Sequence, residues 1–219
     1  MIHSILAGVR RWQMKTLKPF GNSSTSKGPK LTIGDRHGEI AGALAEAFSG
    51  VPGVEVVEGN LLDAGCEAIL SPANSFGDMG GGIDKAIDDY HQGAAQRALR
   101  AAIASHFLGE LPVGIALVIE LSDRRMPFLV AAPTMRVPGR VTNSLNAYLS
   151  MRAALVAVFR HNEISQRPIH TLAVPGLCTG VGGMPAAESA AQMRTAYDQI
   201  IGENWRTVLH SAMAPYVMR

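Results

Sequence analysis

From Leu31 onward, apolar positions recur in two alternating rhythms, short continuous runs and runs at helical spacing. A short strand is predicted at 31–33. A helix follows from about 38 to 48, with Ile40, Leu44, Ala47 and Phe48 on one face, and Val51-Pro52-Gly53 ends it. Strands are predicted at 54–57 and 68–70, helices at 83–90 and 94–108 broken at Gly93, and buried strands at 114–120 and 128–132. A helix at 145–159 places Met151, Ala154, Leu155 and Val158 together. Another strand at 171–174 precedes a last helix whose inner face is Ala190, Met193, Tyr197, Ile200 and Ile201. Such alternation predicts an α/β fold, a sheet covered on both faces by helices, with ligand sites where strands give way to loops.

Two of those loops are rich in glycine, and both lie between a strand and a helix. The first runs Ser71-Pro72-Ala73-Asn74-Ser75-Phe76-Gly77-Asp78-Met79-Gly80-Gly81-Gly82-Ile83-Asp84, the second Pro175-Gly176-Leu177-Cys178-Thr179-Gly180-Val181-Gly182-Gly183-Met184-Pro185. Glycines let the backbone approach a bound group closely, and the N-terminus of the helix that follows offers unpaired N–H groups and a positive dipole end. Two such loops at one sheet edge would form a cleft of N–H donors suited to a diphosphate. Neither is followed by Gly-Lys-Ser/Thr, and neither reads G-x-G-x-x-G with an acidic residue about 20 positions on, so ATPase and hydride-transfer readings lose their usual support. His37-Gly38-Glu39 mimics the H-x-E of zinc deaminases without a P-C-x-x-C and reads as a surface pair.

Composition narrows the rest. The chain has 219 residues, 47% of them apolar, enough for one domain with a sizeable core. A net charge of +2 gives no argument for nucleic acid or a membrane surface, and no apolar run approaches the ~20 residues that cross a bilayer. Two cysteines, Cys66 and Cys178, and no zinc-like spacing of Cys and His suggest a reducing compartment and no metal. His91, His106, His161, His170 and His210 show no ligand spacing and read as surface or helix-end residues. Residues 1–30 hold six Lys/Arg and no acid, the composition of a disordered extension or of a mitochondrial transit peptide. The folded domain is accordingly expected over 31–219, in the cytoplasm or imported.

The two loops resemble those of the macro domain, a module that binds ADP-ribose. Ser71-Pro72-Ala73-Asn74 stands where the family has N-A-A-N, and Gly80-Gly81-Gly82-Ile83-Asp84 matches its glycine run, Val or Ile, and Asp. Pro175, Thr179, Gly180 and Gly183, with Pro185, resemble P-x-x-S/T-G-x-x-G-x-P, and Gly59-Asn60-Leu61 matches G-D-I. The similarity covers roughly 54–201. Ser-Pro-Ala-Asn-Ser-Phe-Gly, Ala-Pro-Thr-Met-Arg-Val-Pro and Gly-Val-Gly-Gly-Met-Pro further resemble a bacterial, phage-associated subgroup sometimes labelled tail-protein-like.

This resemblance implies a three-layer α/β/α sandwich with a mixed central sheet, in a monomer whose ligand is ADP-ribose or an ADP-ribosylated protein and which needs no further cofactor. It implies binding by Gly59, Asn60, Leu61, Ala73, Asn74, Gly80, Gly81, Gly82, Ile83, Pro175, Gly176, Cys178, Thr179, Gly180, Val181, Gly182 and Gly183. Asn74 and Asp84 match the positions that contact the distal ribose and help to activate water in hydrolytic members. Hydrolysis of ester-linked ADP-ribose, on protein or as O-acetyl-ADP-ribose, is therefore expected. The alternatives are a reader without turnover, or a phage-derived structural protein with a vestigial pocket. Two positions depart from the pattern: Ser71 replaces the first Asn, and Asn60 replaces the Asp that accepts from the adenine amino group. A carboxamide both donates and accepts, so this departure implies relaxed choice between adenine and guanine, which Asn60→Asp would sharpen. Arg136 reads as a structural brace, and Cys178, with no neighbouring histidine, as a loop residue rather than a nucleophile.

Overall fold

The computed structural model describes residues 28–207, with 210 and 211. The basic leader lies outside the described residues, except that Pro29 is already buried and Lys30 opens the first strand. In chain order the elements are β1 (Lys30–Asp35), α1 (Gly38–Ala47), β2 (Val54–Glu58), a 3-10 turn (Leu61–Asp63), β3 (Ala68–Ser71), α2 (Gly82–Tyr90), α3 (Ala94–Phe107), β4 (Leu117–Glu120), β5 (Phe128–Ala131), α4 (Asn146–Ile164), β6 (Thr171–Pro175), α5 (Ala186–Ile200) and a last 3-10 turn (Asn204–Thr207).

The six strands form one sheet in the order β2-β1-β6-β3-β5-β4, every pair parallel except β4 with β5. The central strands β3, β5 and β6 are mostly apolar because both of their faces are covered. Leu70, Phe128, Val130, Leu172 and Val174 point into a core shared with α1, α4 and α5. Ile69, Leu129, Ala131 and Ala173, the alternate positions, point into a second core with α2 and α3. The expected three-layer sandwich with a mixed sheet is therefore the observed architecture.

Parallel pairing fixes where the chemistry gathers. β1, β6 and β3 lie side by side and end on the same edge, with Gly34 opposite Pro175 and Ile69 opposite Ala173. The turns after all three strands meet there, β1–α1 on one flank, β6–α5 in the middle and β3–α2 on the other. Gly34 allows close approach at this edge, since a Cβ on it would stand 2.2 Å from the Val57 carbonyl oxygen of β2.

Candidate functional site

The three turns, together with Gly59 and Leu61 after β2 and Thr134, Met135 and Pro138 after β5, enclose a cavity of about 640 Å³, within the roughly 300–1,000 Å³ of small-molecule sites. It is built in three parts.

The β3–α2 loop is held by its own side chains. Asn74 Oδ1 accepts from the backbone N–H of Phe76 (3.0 Å) and Asp78 (3.3 Å), Asp78 Oδ1 accepts from Gly80 N–H (3.0 Å), and Met79 N–H donates to Gln96 Oε1 (2.8 Å). The following helix starts at Gly82, whose φ of +56° suits glycine, and no side chain caps its N-terminus. Its first amides are thus left for a ligand. In the first turn of that helix Asp84 is only 9% exposed, and Ser71 Oγ donates to its Oδ1 at 2.6 Å. Burial drives its carboxyl up to about 7, against the pull of the Ser71 hydroxyl and the Ala73 backbone, and nearby Asp78 adds to the rise.

The β6–α5 loop folds back on itself. Met184 N–H donates to Cys178 O, Gly183 N–H to Gly180 O, and Val141 N–H to Gly182 O, while Cys178 takes the left-handed region at φ +63°. The N–H groups of Gly180, Val181 and Gly182 donate to no described group and line the cavity. They form the donor-lined concavity that favours an anion. Cys178 is buried, and burial together with Glu188 pushes its thiol up to about 12, despite a hydrogen bond with Thr134. It stays a thiol at neutral pH, which agrees with its reading as a loop residue.

The β1–α1 turn brings Asp35, Arg36, His37, Glu39 and Ile40 to the cavity, a contribution the sequence reading missed. His37 and Glu39 are exposed, as a surface pair should be, yet both stand at the cavity rim. The signal was present in the strand predicted at 31–33, a third strand leading into a helix; what sequence could not supply was the sheet order that sets β1 beside β6.

Of the residues implied by the resemblance, Gly59, Leu61, Asn74, Gly80, Gly81, Gly82, Ile83, Asp84, Pro175, Gly176, Cys178, Thr179, Gly180, Val181 and Gly182 line this cavity. Three do not. Ala73 is buried beneath its loop, and Gly183 turns the second loop at φ +63° beside Arg140. Asn60 is the consequential correction: its Oδ1 accepts from Arg36 Nη2 and its Nδ2 donates to Asp63 Oδ2, both at 2.8 Å, so its carboxamide is turned to protein partners and stays out of the cavity lining. His91 is a helix-end residue as expected, the C-cap of α2, but a buried one, with Nε2 unpartnered among the described residues. Arg136 is the brace expected, paired with Glu110 through Nε at 2.7 Å and Nη2 at 2.9 Å and set over the Phe76 ring. Among the described residues no group of three or more His, Cys, Asp or Glu is placed to hold a metal, and no helix is long and apolar enough to cross a membrane.

A family model described as Macro domain matches residues 70–193. An uncharacterised protein of Aeropyrum pernix is 31% identical over 147 residues, 66% of this chain and 70% of its own length. A macro domain-containing protein of Caldanaerobacter subterraneus is 25% identical over 156 residues, 71% of this chain and 85% of its own. The macrodomain of Mycobacterium tuberculosis DarG superposes with a TM-score of 0.53 at 22% identity, over 64% of this chain and 87% of that one. A variant of the Oceanobacillus iheyensis macrodomain, solved with ADPR, superposes with a TM-score of 0.54 at 21% identity, over 66% of this chain and 76% of that one. At such identities the structural likeness concerns the fold.

Proposed function

The chain belongs to the macro domain family, and on that premise we propose that its cavity binds ADP-ribose or a derivative and hydrolyses an ester at the distal ribose. The observation that carries this reading is the pairing of two sets of backbone donors across one cavity, the uncapped start of α2 and the Gly180 to Gly182 amides. A diphosphate between them satisfies both. Its distal ribose then lies toward Asn74 and Asp84. Because Asn74 Oδ1 is committed to two loop amides, its Nδ2 is the group left to donate to a ribose hydroxyl.

In the hydrolytic step a water attacks the acyl carbon of the ester and gives its proton to the Asp84 carboxylate; the bond from that carbon to the ribose oxygen breaks and the ribose oxygen takes the proton from Asp84, releasing ADP-ribose and the acid. A carboxyl raised to about 7 is well matched to that exchange at neutral pH. The substrate class is mono-ADP-ribosylated protein or O-acetyl-ADP-ribose. A reading without turnover is supported by the Ser71 contact, which ties up one carboxyl oxygen of the same Asp84. The test is incubation with mono-ADP-ribosylated protein. Release of free ADP-ribose is expected, and saturable binding without release would leave a reader in its place.

A further inference from the structure

We propose that Asp35, at the end of β1, is the hydrogen-bond acceptor that reads the base of the bound nucleotide, a role that rests on the ADP-ribose reading above. The cavity crosses the ends of β1, β6 and β3 in that order, and with neighbouring strands about 4.8 Å apart its two flanks stand roughly 10 Å from each other. With the diphosphate on the middle loop and the distal ribose on the β3 flank, the base reaches the β1 flank.

That flank is built for a polar edge. Asp35 Oδ1 accepts from both the backbone N–H and the ring Nδ1 of His37, at 3.0 and 2.7 Å, which fixes the carboxylate. Oδ2 accepts from no described residue and lies 3.2 Å from where a Cβ on Gly176 would stand, so it faces the second glycine loop. The Asp35 side chain is 17% exposed, partly withdrawn from water, and its free oxygen gains from a donor. Ile40 and Leu61 give the same flank apolar surface for a ring. Asn60, turned to Arg36 and Asp63, is not part of the cavity lining. A carboxylate only accepts, so it favours the amino edge of adenine and repels the carbonyl of hypoxanthine.

The experiment is calorimetric titration of wild type, Asp35→Asn and Asn60→Ala with ADP-ribose and with its hypoxanthine analogue, alongside melting temperatures. The wild type should prefer ADP-ribose by about tenfold, a hydrogen bond to a charged group being stronger than one to a neutral group. Asp35→Asn should lose most of that preference, and Asn60→Ala should keep it. Asn60→Ala decides the matter even if Asp35→Asn fails to fold: loss of the preference there overturns the assignment. So does an Asp35→Asn variant, folded and binding, with the preference intact, or a wild type that binds both nucleotides equally. A wild type that binds neither overturns the ADP-ribose reading itself.

Discussion

Burial and hydrogen bonding pull the Asp84 carboxyl in opposite directions, and burial prevails, which sets two pH dependences of opposite sense. If the carboxylate receives the proton of the attacking water, turnover rises with pH and levels off above about 7. Stability runs the other way. Between the ordinary value of 3.8 and the folded value of about 7 the native state holds more proton than the unfolded chain. The contribution of protonated Asp84 is therefore full below about 4 and is lost as pH rises to about 7. Thermal melts from pH 4 to pH 8 should show wild type losing stability relative to Asp84→Asn across that window, and parallel curves would refute the assignment. Asp84→Ala should lower turnover by about a hundredfold, the lower end of general acid–base contributions, while ADP-ribose affinity changes far less. Parallel loss of both, measured by release assay and calorimetry, would make Asp84 a binding residue. At this scale the sequence exposed Asp84 and Asn74 through their motif, but it could not show that Arg36 and Asp63 occupy Asn60. Those are contacts between turns that no spacing records.

The glycine loops belong to the scale of elements, and their glycines are not equivalent. A Cβ on Gly182 would stand 2.4 Å from the Cys178 carbonyl oxygen, so any substitution there distorts the loop before it meets a ligand. A Cβ on Gly180 meets nothing within 4 Å, and its φ is ordinary. Gly180→Glu should leave the melting temperature nearly unchanged and abolish ADP-ribose binding, because it sets a negative charge beside the diphosphate. Gly182→Glu should lose both. Unaltered affinity in Gly180→Glu would remove the second loop from the site. The elements were legible wherever a period was clean. The strand expected at 114–120 shortens to Leu117–Glu120 because Gly114, at φ +91°, turns the chain. The helix expected at 145–159 continues to Ile164, no glycine or proline intervening before Ser165.

For the whole molecule the governing fact is the strand order, which places β6 between β1 and β3 and so gathers three turns on one edge. Layering was readable from alternation, since apolar strands flanked by amphipathic helices need cover on both faces. Order was not, because β1 pairs with a strand about 140 residues away, and no local pattern announces such a pairing. The β1–α1 turn accordingly closes one flank of the cavity, although the sequence marks only His37 and Glu39 there, as a surface pair. If this edge is a nucleotide site built from backbone donors, calorimetric titration of the wild-type chain with ADP-ribose is the decisive measurement. Saturable one-to-one binding is expected, with AMP, which lacks the second phosphate and the distal ribose, binding far more weakly. No heat and no rise in melting temperature at millimolar ADP-ribose, or AMP binding as tightly as ADP-ribose, would contradict it.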